Sequence, residues 1–438
     1  MRTENSRSGP GAPRRRSRAL VFASLCLSGA IPLFAQAAAP LPSFARATSR
    51  VNPAAASVAR DRETSAEWDA LARDFREYTE RDRVVGASMV LLTKEKIEAR
   101  AVAGERNRAA KLPVDSQTIF HWGSITKSLT AIAIMQLRDR GRLSLDDKII
   151  RYVPELRQLH DPFGMLDSIT IRMLLSHSAG FRNGTWPYGD GQPWEPFEPT
   201  SWNQLVAMMP YQALLFRPGT RYGYSNPAFI YLARVIEQLT GDPWESYIHK
   251  NIFAPLSMQH SYFRSTPYYL ASERSHNYSI RKDSASGGTR VVDHGADFDP
   301  GITTPNGGWN SPIGDLAIYT AFLTNSVLPG GSRAHYDAVL SRSSLEEMWR
   351  PVVPMTDGYE ASTGQSMGLS FFIRGSGAQR VLGHTGSQAG FRAFYYFNPA
   401  TGTAVIAGFN TTNYAAPAVS ELRKLSEGAQ RLVAGGAP

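Results

Sequence analysis

Cysteine is almost absent from this 438-residue chain, which holds one, Cys26. A single thiol cannot close an intramolecular disulfide, so the stability of the fold must come from packing. Leu25, just before it, is a poor match to a lipoprotein cleavage site. Charge is also scarce, at 19% of residues. The formal net charge is +9, and residues 1–37 supply +5 of it through six arginines and Glu4, which leaves +4 for the rest. A balance that mild does not argue for nucleic-acid binding, and no Lys/Arg stripe interleaved with aromatics occurs. None of the nine histidines lies in an H-E-x-x-H pair, so the zinc-protease arrangement is missing. No P-loop, dinucleotide fingerprint or internal repeat occurs. The G-x-S-x-G elbow is missing too, because Trp122 stands where it needs glycine ahead of Ser124.

What is present begins with an export pattern. Arg14–Arg18 is basic, Ala19–Phe34 is an apolar run short for a membrane span, and Ala35-Gln36-Ala37 is a small-x-small cleavage site. Residues 1–37 are therefore expected to be a signal peptide, with an uncleaved anchor as the alternative. The paired arginines suggest a twin-arginine route that the residues after them fit poorly. The expected location is periplasmic or secreted. Residues 38–62, rich in Ala, Pro and Arg, are expected to be a mobile linker.

Hydrophobic residues make up 42% of the chain, with 37 Gly and 28 Pro, the composition of a loop-rich globular protein. Trp68, Leu71, Ala72, Phe75 and Tyr78 recur at helical spacing and predict a helix over 65–82. Strands are predicted at Gly86–Thr93 and Ile97–Ala103. Helices are predicted at Ser124–Arg140, 171–177, 202–209, 227–239 and 243–253. Another is predicted from the Ser311-Pro312 cap to Leu323. No strand alternation is evident over 144–300. Strands return at Met367–Ile373, Gln379–Gly383, Phe391–Phe397 and Thr403–Asn410, and Ala416–Val433 is predicted as a closing helix. The fold class expected is α+β: one antiparallel sheet flanked by N- and C-terminal helices, with an all-helical domain inserted. The sheet part is expected over about 63–115 and 365–435, and the helical part over about 124–325. The aromatic loop 183–199 could wall a cleft or simply pack on itself.

Three short motifs carry chemistry. In Ser124-Ile-Thr-Lys127 a serine and a lysine stand one helical turn apart, so an amine can take the proton of a hydroxyl. Ser124 also opens a helix, whose N–H groups favour developing negative charge. In Tyr224-Ser225-Asn226, within a glycine- and proline-marked loop, a phenol near a lysine can act as a base, and an amide can hold a carbonyl. In His384-Thr385-Gly386, expected between two strands, glycine allows close approach to the backbone, and the Ser387 N–H could pair with that of Ser124 as an oxyanion hole. Each motif alone has a structural explanation: a capping serine, a packed tyrosine, a turn.

Together, about 100 and then about 160 residues apart, they resemble the set S-x-x-K, Y-x-N and [K/H]-T-G of the class C β-lactamase and DD-peptidase superfamily, which also contains esterases. The resemblance covers roughly 65–435 and extends to Gly141–Asp147, Tyr152–Glu155, Leu174–His177 with Gly180, Pro218–Thr220 and Ala254–Met258. It implies a β-lactamase/transpeptidase-like serine hydrolase domain over 63–435. Ser124 would attack a carbonyl and form an acyl-enzyme, and Lys127 and Tyr224 would shuttle its proton. Asn226, His384, Thr385, Gly386 and Ser387 would bind the oxyanion and substrate. No cofactor or metal is implied. The partner implied is a small-molecule or peptide substrate; neither nucleic acid nor, after signal cleavage, stable membrane insertion is expected, and nothing sets the oligomeric state. The resemblance leaves three readings open: an esterase or peptidase of the D-amino-acid type, a β-lactamase proper, and a non-catalytic sensor of penicillin or cell-wall fragments. His384 is a departure, because the β-lactamases of the set carry lysine there. Histidine is mostly neutral near pH 7, which weakens the charge offered to a substrate carboxylate. His121 and His177 are expected to be structural.

Overall fold

Every position of Gly86–Leu92 is buried, as befits an apolar run covered on both faces. Its alternation assigns the faces. Ala87, Met89 and Leu91 turn to one core, and Val90 and Leu92 to the other. The neighbouring strand Ala404–Phe409 repeats this, with Val405, Ala407 and Phe409 on the first core and Ala404 and Ile406 on the second. The computed structural model describes residues 58–60, 66–94, 96–185, 199–329, 331–356, 364–415 and 420–435. The expected signal peptide, most of the expected linker and most of the aromatic loop lie outside the described residues.

The main sheet is antiparallel. Its order is Val58–Arg60, Ile97–Asn107, Gly86–Leu92, Ala404–Phe409, Phe391–Phe397, Val381–Gln388, Phe372–Arg374, Ser366–Met367 and Val353–Pro354. It therefore joins both ends of the chain, as expected. Val58–Arg60, inside the stretch read as a linker, is an edge strand paired with Ile97–Asn107. Helices Ala66–Arg81 and Ser420–Ala434 cover the first core. The second core holds helix Lys127–Asp139, buried from Lys127 through Leu137. A helix buried all round belongs at the centre of a domain.

The differences from expectation have local causes. The predicted strand Met367–Ile373 is two short strands that pair with each other, because the chain reverses at Ser370, whose φ is 71°. The middle segment is mostly helical but not all-helical. Tyr262–Phe263 and Ile119–His121 pair with Trp309–Pro312, and Tyr278–Lys282 pairs with Thr289–Asp293. Tyr278, Ser279 and Ile280 are buried in succession, which erases the period-2 signal. Their second partner, Thr411–Asn413, lies far away in the chain. Ser311 does not cap a helix. It sits in strand Trp309–Pro312, and its hydroxyl accepts from the Trp122 indole N–H at 2.7 Å. Pro312 takes the cap position of helix Ile313–Thr324.

At one point the sheet meets the inner layer with no side chain between. A methyl group added to Gly386 would lie 2.0 Å from the Trp122 carbonyl oxygen, and one on Gly123 2.7 Å from the Ser387 nitrogen. Gly123 also has φ +51°, a region that favours glycine.

Three histidines are buried here: His121, His177 and His384. Burial lowers the imidazole of His121 to about 4 and that of His384 to about 3, and holds His177 well below 6.5. The unfolded chain therefore takes up these protons first as pH falls. Native stability should be full above about pH 6.5 and decline toward pH 4, by up to about 1.4 kcal/mol per pH unit for each histidine. Thermal melts across pH 7.5 to 4.5 check this; a flat melting temperature contradicts it. The backbone contact gives a second expectation. Gly386→Ala should cost about 1–3 kcal/mol by overpacking, seen as a lower urea midpoint. Gly314→Ala, on a helix with open space around it, should be neutral or stabilising by up to about 1 kcal/mol.

Candidate active site

Gly123–Thr126 forms a 3-10 turn that runs directly into helix Lys127–Asp139. Ser124 thus sits in this tighter turn, three residues before the α-helix that was predicted to begin with it. The turn is held by its own sequence: Thr126 Oγ1 donates to the Gly123 carbonyl at 2.6 Å and accepts the Trp309 N–H at 3.0 Å. Ser124 is half-buried and Lys127 fully buried. Lys127 Nζ lies 2.9 Å from Ser124 Oγ, 2.7 Å from Asn226 Oδ1 and 2.8 Å from the Asn306 carbonyl. Its burial lowers the amine well below 10.5. A neutral amine suits this setting: its two N–H bonds serve the two carbonyl oxygens, and its lone pair faces the serine hydroxyl.

The second motif arrives at the mouth of helix Pro227–Thr240. Pro227 occupies the first turn and Asn226 the cap position. Asparagine is a favoured capping side chain, yet this one makes no cap bond. Its Oδ1 accepts from Lys127 and from Asn306 Nδ2, and its Nδ2 donates to Asn183 Oδ1 at 3.1 Å. The Asn226 backbone N–H also donates to the Asn183 carbonyl at 3.2 Å. Lys127 Nζ lies 4.9 Å from the centroid of the Tyr224 ring.

The third motif lies inside a strand, Val381–Gln388, and not at the end of a strand ending at Gly383. Alternation along it separates the motif's residues. Thr385 and Ser387 are exposed, whereas His384 and Gly386 are buried. The neighbouring strand Phe372–Arg374 pairs only with Val381–Gly383, so the edge beyond Gly383 has no strand partner there among the described residues. Gly386 and Gly123 let this edge touch the Ser124 turn, which brings the Ser387 nitrogen against the backbone next to the nucleophile candidate. The His384 ring, expected to line the substrate's edge, is instead 1% exposed and stacked on Phe372 at 4.3 Å between centroids. Its Nδ1 faces the Thr385 carbonyl. A carbonyl only accepts, so that nitrogen carries the proton. Desolvation by burial keeps the ring neutral.

All three motifs therefore converge, and Ser124, Lys127, Tyr224 and Asn226 form one cluster. Sequence reasoning missed Asn306, which supplies a carbonyl to Lys127 from the short helix Thr304–Gly307, and Asn183, which orients the Asn226 amide. The only local hint of Asn306 is the Pro305-Asn306-Gly307-Gly308 turn composition.

The sequence profile of the Beta-lactamase family matches residues 71–430. Among curated proteins, the chain is 31% identical to esterase EstB of Burkholderia gladioli over 190 residues, 40% of this chain and 46% of that one. It is 29% identical to PbpX of Bacillus subtilis, named as a penicillin-binding protein, over 41% of this chain and 42% of that one. These matches span less than half the length of either relative. Among solved structures, an octameric penicillin-binding protein homologue from Pyrococcus abyssi superposes with a TM-score of 0.67 at 26% identity, covering 84% of this chain and 76% of that one. A class C β-lactamase superposes with a TM-score of 0.66 at 18% identity over 87% and 99%, and shares the fold. A D-amino acid amidase from Ochrobactrum anthropi SV3 does so at 0.64 and 19% over 84% and 97%. The antiparallel sheet, the helical insert between its halves and the convergence of the three motifs agree with the profile match: this chain belongs to the Beta-lactamase family.

Proposed function

We propose that this protein is an exported serine hydrolase that works through an acyl-enzyme on ester bonds or on amide bonds of the D-amino-acid type. One observation carries the reading: a desolvated amine, Lys127, whose Nζ is 2.9 Å from Ser124 Oγ. Ser124 Oγ bonds to the substrate carbonyl carbon as its proton passes to Lys127 Nζ. The N–H groups of Ser124 and Ser387 hold the oxyanion. The carbon–leaving-group bond then breaks, and Tyr224 relays the proton to the departing oxygen or nitrogen. Water adds to the acyl carbon along the same path, the ester bond to Ser124 breaks, and the serine recovers its proton. Asn226 and Thr385 orient the substrate.

The neutral, inward-facing His384 favours ester or peptide cleavage over β-lactam hydrolysis, because it offers no fixed cation to a lactam carboxylate. The names of relatives, an esterase and a D-amino acid amidase, are consistent with that choice. Export rests on Arg14–Arg18, the apolar run to Phe34 and Ala35-Gln36-Ala37, and places the mature enzyme in the periplasm or outside the cell. The alternative, a sensor that acylates without turnover, retains the same Ser124 chemistry and differs in the water step.

A panel of nitrophenyl esters, D-alanyl peptides, D-amino-acid amides and a chromogenic cephalosporin tests this. Steady ester or D-aminoacyl turnover is expected, with kcat/KM on the cephalosporin lower. Ser124→Ala should abolish turnover and phosphonate labelling, and Tyr224→Phe should lower kcat by about 10²–10⁴ with the fold intact. A single burst without turnover indicates the sensor, and full activity in Tyr224→Phe removes the proton-relay role.

A further inference from the structure

His177 takes no part in the chemistry above, yet it is fastened to Tyr224 from three directions. It follows helix Ile171–Leu175 with φ 54°, a left-handed conformation that few non-glycine residues adopt and that histidine tolerates better than most. That turn aims both its carbonyl and its ring at the loop leading into helix Pro227–Thr240. The Gly223 N–H donates to the His177 carbonyl at 2.8 Å, and the Ser225 N–H donates to His177 Nδ1 at 3.1 Å. The residues on either side of Tyr224 are thus tied to one histidine. The imidazole itself stacks on the Tyr224 ring, 4.3 Å between centroids and 29° between planes. Tyr222 and Phe229 pack the same ring at 6.0 and 5.1 Å, leaving it 1% exposed.

Neighbouring contacts extend the cradle. The Gly219 N–H donates to the Ser178 carbonyl, the Leu215 N–H to that of Gly180 and the Asn226 N–H to that of Asn183. Residues 177–183 therefore form the bed on which the whole Leu215–Asn226 loop lies. Burial keeps the imidazole neutral, and a neutral ring has the lone pair that the Ser225 N–H requires. A phenylalanine here could stack but not accept. An asparagine could accept through Oδ1, and tolerates this backbone, but could not stack.

We propose that His177 is the positioning residue of Tyr224, fixing the height and tilt of the phenol over Lys127 by holding the backbone on both sides of it and the ring face beneath. The inference rests on Tyr224 being the proton relay of the proposed reaction. A relay displaced by about 1 Å loses about 10²-fold in rate, while substrate binding elsewhere is untouched.

The test is a double-mutant cycle on an activated nitrophenyl ester, with active sites counted by phosphonate labelling. His177→Asn keeps the acceptor and loses the ring; His177→Phe keeps a ring and loses the acceptor. Each should lower kcat about 10–100-fold with KM within about 2-fold of the parent. In the Tyr224→Phe background the same changes should cost less than about 3-fold, because nothing remains to be positioned. If one His177 variant fails to fold, the other completes the cycle. An undiminished loss in the Tyr224→Phe background, or no loss in the parent, overturns the positioning role. Tyr224→Phe alone at the parental rate instead overturns the relay on which it rests.

Discussion

The amine of Lys127 is sealed into the protein interior, and the surrounding structure answers to that fact. An ammonium stripped of water is unfavourable unless partners replace the solvent. Here the partners are three oxygens from three distant stretches: the Ser124 hydroxyl, the Asn226 amide and the Asn306 carbonyl. Burial wins over these contacts in direction, and the amine is pushed toward its neutral form. The same demand explains why helix Lys127–Asp139 is enclosed all round, and why Asn226 leaves its capping role to face inward.

Neutrality then extends outward from the lysine. His177 and His384 are both desolvated by burial, so neither stays charged beside it. The cluster is lined by stacked rings and amides, with Tyr224 between His177 at 4.3 Å and His384 at 6.2 Å. Such a setting suits proton transfer among neutral groups. It offers no fixed cation to a substrate carboxylate, and this is the physical ground on which esters and D-aminoacyl amides are proposed as substrates.

Much of this was legible in the chain. The three motifs named Ser124, Lys127, Tyr224 and Asn226; helical spacing placed the outer helix Ala66–Arg81, and short apolar runs bounded by turns placed the strands Gly86–Leu92 and Phe391–Phe397, within a residue or two. What was not legible depends on long-range closure. Asn306 matters through a backbone carbonyl, which any residue possesses, so no side-chain pattern announces it. His177 read as a core histidine because its bonds run to backbone N–H groups of a loop 46 and 48 residues on. The strand Tyr278–Lys282 was hidden because its parallel partner, Thr411–Asn413, comes from the other end of the domain. His384 turns inward because its strand continues past Gly383, and alternation along it buries His384 and leaves Thr385 outside.

The proposed chemistry requires Lys127 to be an uncharged base at working pH. NMR of the protein labelled with [ε-13C]lysine, with Lys127→Met to assign the signal, reads its titration directly. A Lys127 resonance titrating far below 10.5, separate from the surface lysines, is the predicted result. A resonance titrating at or above 10.5 contradicts the claim that this amine takes the proton of Ser124.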